Sequence, residues 1–193
     1  MIKKIKNYLL ELKYINTYYK YYKEQVNNYP SYSRDYYIHI TPFDFGDTAI
    51  INNLVCKTGS INFLDSSKDY FIDIPQLCVA KSVLSCIASI FYEKLKDRDF
   101  YVYRTIKKEY AYSHFFNQYE FKIFKPTRFK KIGMIKNCNL LYEILKDLND
   151  RRMQAYERIN DKEELEKVLK EIVKEVEKKL YITYRFQCKA PIQ

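Results

Sequence analysis

Residues 76–94 read QLCVAKSVLSCIASIFYEK, a run in which Leu77, Val79, Val83, Leu84, Ile87, Ile90 and Phe91 crowd most of a helical circumference. Pro75 stands where a helix tolerates proline best, in its first turn, and Asp73 lies just upstream near the cap. A helix that is apolar on most sides must be buried, so this stretch predicts the spine of the core. Residues 72–92 are also the most apolar window, but Lys81 interrupts them. A central lysine costs a spanning helix about 2.5–3.5 kcal/mol, which favours a buried helix over a membrane span.

Strand patterns flank this spine. Before it, residues 36–41, 48–56, 60–64 and 70–74 are β-branched and aromatic, punctuated by Pro42, Gly46 and Gly59. After it, residues 99–106 and 118–125 predict two strands, with a third within 108–115, and residues 126–133 read as loop. Helices are expected at both ends. In residues 2–27, Ile5, Leu12, Tyr19 and Val26 recur every seven positions, with Tyr8, Ile15 and Tyr22 three after the first three. That is an a/d seam, which buries Tyr19 and Tyr22 and leaves Tyr14, Tyr18 and Tyr21 off it. A connector rich in Pro, Ser and Asn follows at 27–34. The last helices fall at 139–158 and 161–180, the second opened by a capping box of Asn160 and Glu163. Its apolar face of Leu165, Val168, Leu169, Ile172, Val173, Val176 and Leu180 opposes a solvated Glu/Lys face, and residues 181–187 alternate like a strand.

The expected fold is therefore α+β, a single domain over residues 1–193. It comprises a long N-terminal helix (1–27), a mixed β/α core (36–135) with an antiparallel or mixed sheet around one buried central helix, and a C-terminal helical hairpin (139–180).

The 193 residues carry 34 Lys+Arg against 24 Asp+Glu, a net charge of +10, with 21 Tyr, 12 Phe and only 3 Gly. Lysine, asparagine, isoleucine and tyrosine have AT-rich codons, so an AT-rich viral, mobile-element or microbial genome accounts for part of this excess. The remainder points to a polyanionic partner. Charge is uneven: residues 97–136 hold ten Lys/Arg against four Asp/Glu, whereas residues 35–74 hold six Asp against Lys57 and Lys68. Five cysteines without a CxxC pair, and two histidines, give no zinc spacing. They read as buried thiols in a reducing, cytoplasmic compartment, the host's if the source is viral, with no structural metal, cofactor or membrane partner.

Three short patterns resemble nuclease or transferase motifs. Arg34-Asp-Tyr-Tyr-Ile-His39 is similar in spacing to HEPN-type ribonucleases, in which arginine and histidine activate a ribose hydroxyl from a helix. Here the run is strand-like and meets Pro42, so His39 reads as a strand histidine. Asp99, Glu120 and Lys122 resemble restriction-endonuclease-like nucleases, in which carboxylates hold Mg²⁺ and the lysine steadies water. The alternative is a cross-strand ion pair, since Glu120 and Lys122 share a strand face. Gly59-Ser60 with Asp65, Asp69 and Asp73 resembles nucleotidyltransferases but lacks their paired Asp-x-Asp. Three glycines build no phosphate-cradling loop.

Binding is the better-supported class. Lys122, Lys125, Arg128, Lys130 and Lys131 cluster near a hairpin end, with Lys107 and Lys108 nearby in sequence. Aromatic residues interleave them, Tyr110 and Tyr112 being the candidates for stacking on bases. Cations that track phosphates beside rings that stack bases make a single-strand binding surface. The leading expectation is a non-enzymatic nucleic-acid-associated protein. The rival is a protein-interaction module, a viral inhibitor of a host complex or a structural subunit, docking or self-associating through the heptad helix. A metal-dependent nuclease is the third.

Overall fold

The computed structural model describes residues 2–26, 31–51, 76–90, 92–113 and 119–186. The fold is α+β, with four α-helices and two four-stranded antiparallel sheets among the described residues. The first sheet has the order β1-β6-β7-β4 and the second β2-β5-β8-β3. The strands are β1 (Tyr32–Asp35), β2 (Ile38–Thr41), β3 (Thr48–Ile51), β4 (Leu77–Val79), β5 (Phe100–Thr105), β6 (Glu109–Ser113), β7 (Phe121–Ile123) and β8 (Thr127–Ile135). The helices are α1 (Ile2–Val26), α2 (Val83–Ser89), α3 (Cys138–Arg158) and α4 (Lys162–Phe186). None of the helices among the described residues is long and apolar enough to cross a membrane.

The chain divides into two compact units. The first comprises Met1–His39, Phe45–Cys86 and Tyr103–Lys131; the second comprises Ile40–Asp44, Ile87–Val102 and Ile132–Gln193.

The expected central helix is replaced by a strand, a bend and a short helix. Leu77 and Val79 are fully buried on β4, which pairs with β7 in the register Leu77↔Ile123, Cys78↔Lys122 and Val79↔Phe121. A run that is apolar on every side suits a strand covered on both faces as well as a helix. The helix starts only after Ser82, whose Oγ accepts the N–H of Ser85 at 3.1 Å, an N-cap contact. Asp73 and Pro75, the expected cap, lie outside the described residues, as do the expected strands at 60–64 and 70–74. The expected connector contains β1, which pairs with β6 from Tyr32↔Tyr112 to Asp35↔Glu109.

The expected loop at 126–133 is the start of β8, the longest strand among the described residues. Pro126 precedes its first residue, a place that needs no ladder N–H. Thr127 and Phe129 turn inward while Arg128 and Lys130 turn to solvent, the alternation of a sheet with one wet face.

The helix α1 forms as expected; the most buried of its described side chains, Tyr18, lies off the heptad seam, whose Leu12, Ile15 and Tyr19 are half-buried. Ile5 and Tyr8 are more than half exposed, whereas Tyr18 is 2% exposed. Tyr18 packs on Phe124, with Tyr14, Ile15 and Tyr112 around them. Tyr14, Ile15 and Tyr18 lie at steps of three and four residues along one helix face, displaced by one residue from the seam positions 12 and 19.

The second unit contains the helical hairpin. The side chain of Asp161, not Asn160, caps α4, its Oδ1 accepting the N–H of Glu164 at 2.8 Å. The expected final strand is the continuation of α4. Thr183 and Tyr184 are buried, extending the inward positions Ile172, Val176 and Leu180 at three- and four-residue steps. Leu141, Tyr142, Ile144, Leu145 and Ala155 are the buried residues of α3 together with Cys138 at its start. Asp97, in the left-handed region at φ 55°, donates its N–H to Asn139 Oδ1 at 2.7 Å and accepts the Asn139 amide at 3.0 Å. Asp tolerates that backbone better than most residues.

Candidate nucleic-acid interface

Strand β1 and the residue after it alternate Tyr32, Arg34, Tyr36, so these three side chains project on the same side of the chain. All three are exposed. The β1–β6 register sets Arg34 opposite Tyr110 and Tyr32 opposite Tyr112. The Arg34 guanidinium lies 5.7 Å from the Tyr110 ring centre, and the Tyr32 ring is 6.0 Å from both Tyr110 and Tyr112. Tyr36 carries two cations: Arg104 at 4.6 Å and Lys108 at 6.0 Å from its ring centre. Each cation is drawn to the electron-rich ring face, which orders both partners.

Arg104, Arg128 and Lys130 are the exposed residues among the buried neighbours of β5 and β8 within this unit. Ile106 N–H donates to the Arg128 carbonyl at 3.2 Å, which joins the two strands here. On β3, Thr48 and Ile50 are exposed opposite Lys130 and Arg128. Among the described residues, no ion pair engages Arg128 or Lys130. The result is a solvated face bearing exposed tyrosines and five cations, Arg34, Arg104, Lys108, Arg128 and Lys130.

The residues expected from sequence divide into three groups. Lys108, Arg128, Lys130 and Tyr110 lie on this face. Lys107, Lys125 and Lys131 are paired with acids: Lys107 with Glu109 at 3.7 Å, Lys125 with Glu109 at 3.2 Å and Glu11 at 3.8 Å, and Lys131 with Asp47 at 3.9 Å. Tyr112 is half-buried against Phe124, Tyr19 and Tyr32. Burial, then the neighbouring Tyr19 hydroxyl, pushes its phenol up to about 12.

Lys122 departs furthest from expectation. It is 3% exposed, and its Nζ lies 2.6 Å from Glu120 Oε1 and 2.9 Å from Cys78 Sγ. The expected Glu120–Lys122 pair exists, but in the interior. Burial opposes the lysine charge, yet the Cys78 sulfur and the Glu120 carboxylate outweigh it and raise Lys122 above the ordinary lysine value. A side chain held this way is turned away from any phosphate.

The ribonuclease-like pattern finds no matching geometry among the described residues. Arg34 is exposed on β1 and His39 is buried on β2, so neither stands on the helix that the ribonuclease motif requires. His39 Nδ1 lies 2.9 Å from the Cys78 carbonyl, and Nε2 is buried without a partner. Burial holds the imidazole below the ordinary histidine value. Asp99 is exposed just before β5, and among the described residues no three of His, Cys, Asp and Glu gather as a metal site. Gly59, Ser60, Asp65, Asp69 and Asp73 lie outside the described residues.

Sequence reasoning missed Tyr32, Tyr36 and Arg104 as surface contributors. Their signal was the two-residue alternation at 32–36, hidden by treating 27–34 as a connector. Comparison of the chain with protein-family models, curated proteins and solved structures finds no match.

Proposed function

We propose that this chain is a non-enzymatic nucleic-acid-binding protein that holds single strands on the tyrosine- and cation-bearing face of its first unit. The observation that carries this reading is the ordering of Tyr36 and Tyr110 by Arg104, Lys108 and Arg34 beside the exposed Arg128 and Lys130. Exposed rings accept any base by stacking, and the cations follow the backbone. The reading includes an AT-rich viral or mobile-element source, supported by composition, and a reducing cytoplasmic compartment, supported by the buried Cys86 and Cys138.

The test is the salt dependence of oligonucleotide affinity. Each phosphate contact contributes about −0.7 to the slope of log affinity against log salt on single strands. Changing Arg104, Lys108, Arg128 and Lys130 to Ala is expected to flatten the slope by roughly three units. Tyr110→Ala is expected to weaken binding by about 1–3 kcal/mol, the worth of one stacked base. Replacing Lys162, Lys167, Lys170 and Lys174 on α4, which glutamates interleave, is expected to change little. Equal losses from both sets would reduce the effect to bulk charge.

A protein-docking function is the second reading, favoured by Ile2, Ile5, Tyr8 and Leu9, all more than half exposed on α1. An absence of oligonucleotide binding at low salt decides for it.

A further inference from the structure

The strand pair β4–β7 holds a chemical arrangement that nucleic-acid binding does not use. Cys78 and Lys122 stand directly opposite one another, and Lys122 Nζ touches Cys78 Sγ at 2.9 Å and Glu120 Oε1 at 2.6 Å. Lys122 is buried, the Glu120 side chain is 15% exposed, and Cys78 is half-buried. An ammonium against a cysteine sulfur favours the thiolate, which is the nucleophile. A nitrogen already at contact distance from that sulfur meets the geometric requirement for attack once the sulfur becomes electrophilic.

We propose that Cys78 and Lys122 form a covalent sulfur–nitrogen cross-link when the chain meets hydrogen peroxide, with Glu120 relaying the protons that the lysine releases. The Cys78 thiolate attacks one peroxide oxygen and the O–O bond breaks. Sulfur is oxidised by two electrons to the sulfenic acid, and the departing hydroxide takes a proton from the Lys122 ammonium through Glu120 to become water. The freed Nζ lone pair then attacks sulfur, the S–N bond forms and the S–O bond breaks. The second hydroxide takes another proton from nitrogen and leaves as water. One peroxide is consumed, two waters form, and the thiolate–ammonium pair becomes S–NH. Condensation of a sulfenic acid with a protein nitrogen is a known branch of cysteine oxidation, and a thiol reductant reverses it. The product clamps β4 to β7 and removes the Lys122 charge beside Glu120.

The experiment treats the full chain with hydrogen peroxide, digests it without reductant and reads the peptides by mass spectrometry. The expected product joins the Cys78 and Lys122 peptides, is lighter by two hydrogens than their sum, and separates on addition of a thiol. Lys122→Arg, which keeps the charge, is expected to lose the cross-link while Cys78 still reacts with a sulfenic-acid trap. Glu120→Gln is expected to form the cross-link about a hundredfold more slowly, as for the loss of a general base. An unslowed rate there would overturn the role given to Glu120. Unreacted Cys78 in the wild-type chain, or Cys78 carrying oxygen with Lys122 still open to amine labelling, would overturn the proposal without reference to any variant.

Discussion

The Tyr18 hydroxyl on α1 donates to the backbone carbonyl of Ser113 at the end of β6. Its ring meets that of Phe124 at 5.2 Å between centres. One residue on, Tyr19 is half-buried and touches Tyr112 edge-on at 5.8 Å. Adjacent tyrosines on one helix thus have different tasks: one anchors the helix to the sheet and the other borders it. Burial of an aromatic side chain stabilises by about 1.5–3 kcal/mol. Tyr18→Lys loses that contribution and buries an ammonium in its place, so a loss above about 3 kcal/mol is expected. Tyr18→Phe is expected to cost about 1 kcal/mol, the net worth of its hydrogen bond. Tyr19→Lys is expected to cost clearly less than Tyr18→Lys, because a lysine there reaches water. Urea denaturation of the three variants checks the order, and a larger loss at 19 than at 18 would return the helix to the heptad seam.

The elements legible in the sequence were those whose period persists over many turns. Helices α1, α3 and α4 repeat their apolar positions long enough for the pattern to outweigh local noise. Failures came where one local signal admits two structures. Residues 77–79 are apolar on both sides, which suits a doubly covered strand and a buried helix alike. Pro126 reads as a loop residue, yet it heads β8 where no hydrogen bond is lost. Residues 181–186 alternate in polarity, but Thr183 and Tyr184 also continue the inward face of α4, and helix propagation from a long segment prevailed. In the candidate interface, local charge density marked a basic segment but not the direction of each side chain. Lys122 lies 44 positions from Cys78 in sequence, and only strand pairing brings them together. The pairing of Arg104 with Tyr36 likewise depends on chain segments far apart in sequence.

The buried His39 gives the fold a specific acid sensitivity. The Cys78 carbonyl only accepts hydrogen bonds, so Nδ1 carries the proton and Nε2 is the bare, unpartnered nitrogen. Protonation would place a second N–H and a charge where neither has a partner. The native imidazole therefore has its value held down, while the unfolded chain titrates near about 6.5. Below that pH the unfolded state binds more protons than the native state. Stability is thus complete above about pH 6.5 and falls with acidification, by at most about 1.4 kcal/mol per pH unit from this group. His39→Asn retains an amide that donates to the Cys78 carbonyl and removes the titration. Its denaturation midpoint is expected to lose most of the slope between about pH 6.5 and pH 5. An unchanged slope would assign the acid sensitivity to other groups.

The contact of Lys122 with Glu120 separates folding from binding within the basic segment. The two charges stabilise one another in the interior at 2.6 Å, so removing one leaves the other in a poorly solvated place. Lys122→Met under reducing conditions is expected to cost about 3 kcal/mol, near the lower end for a broken buried pair because Glu120 keeps slight exposure. Adding Glu120→Gln to Lys122→Met is expected to recover part of that loss, since the stranded carboxylate is then neutral. A coupling of about 1–3 kcal/mol in the four-member cycle is the corresponding measurement. Oligonucleotide binding by the folded Lys122→Met chain is expected to keep the wild-type salt slope, because Nζ points at Cys78 and Glu120 and not at solvent. Arg128→Ala, with no comparable loss of stability, is expected to flatten that slope by about 0.7 on single strands. The two variants should therefore exchange effects: one lowers the unfolding midpoint and spares the slope, the other spares the midpoint and lowers the slope. A flattened slope in Lys122→Met would mean that the buried lysine turns outward to meet phosphate, and would reverse its assignment to the core.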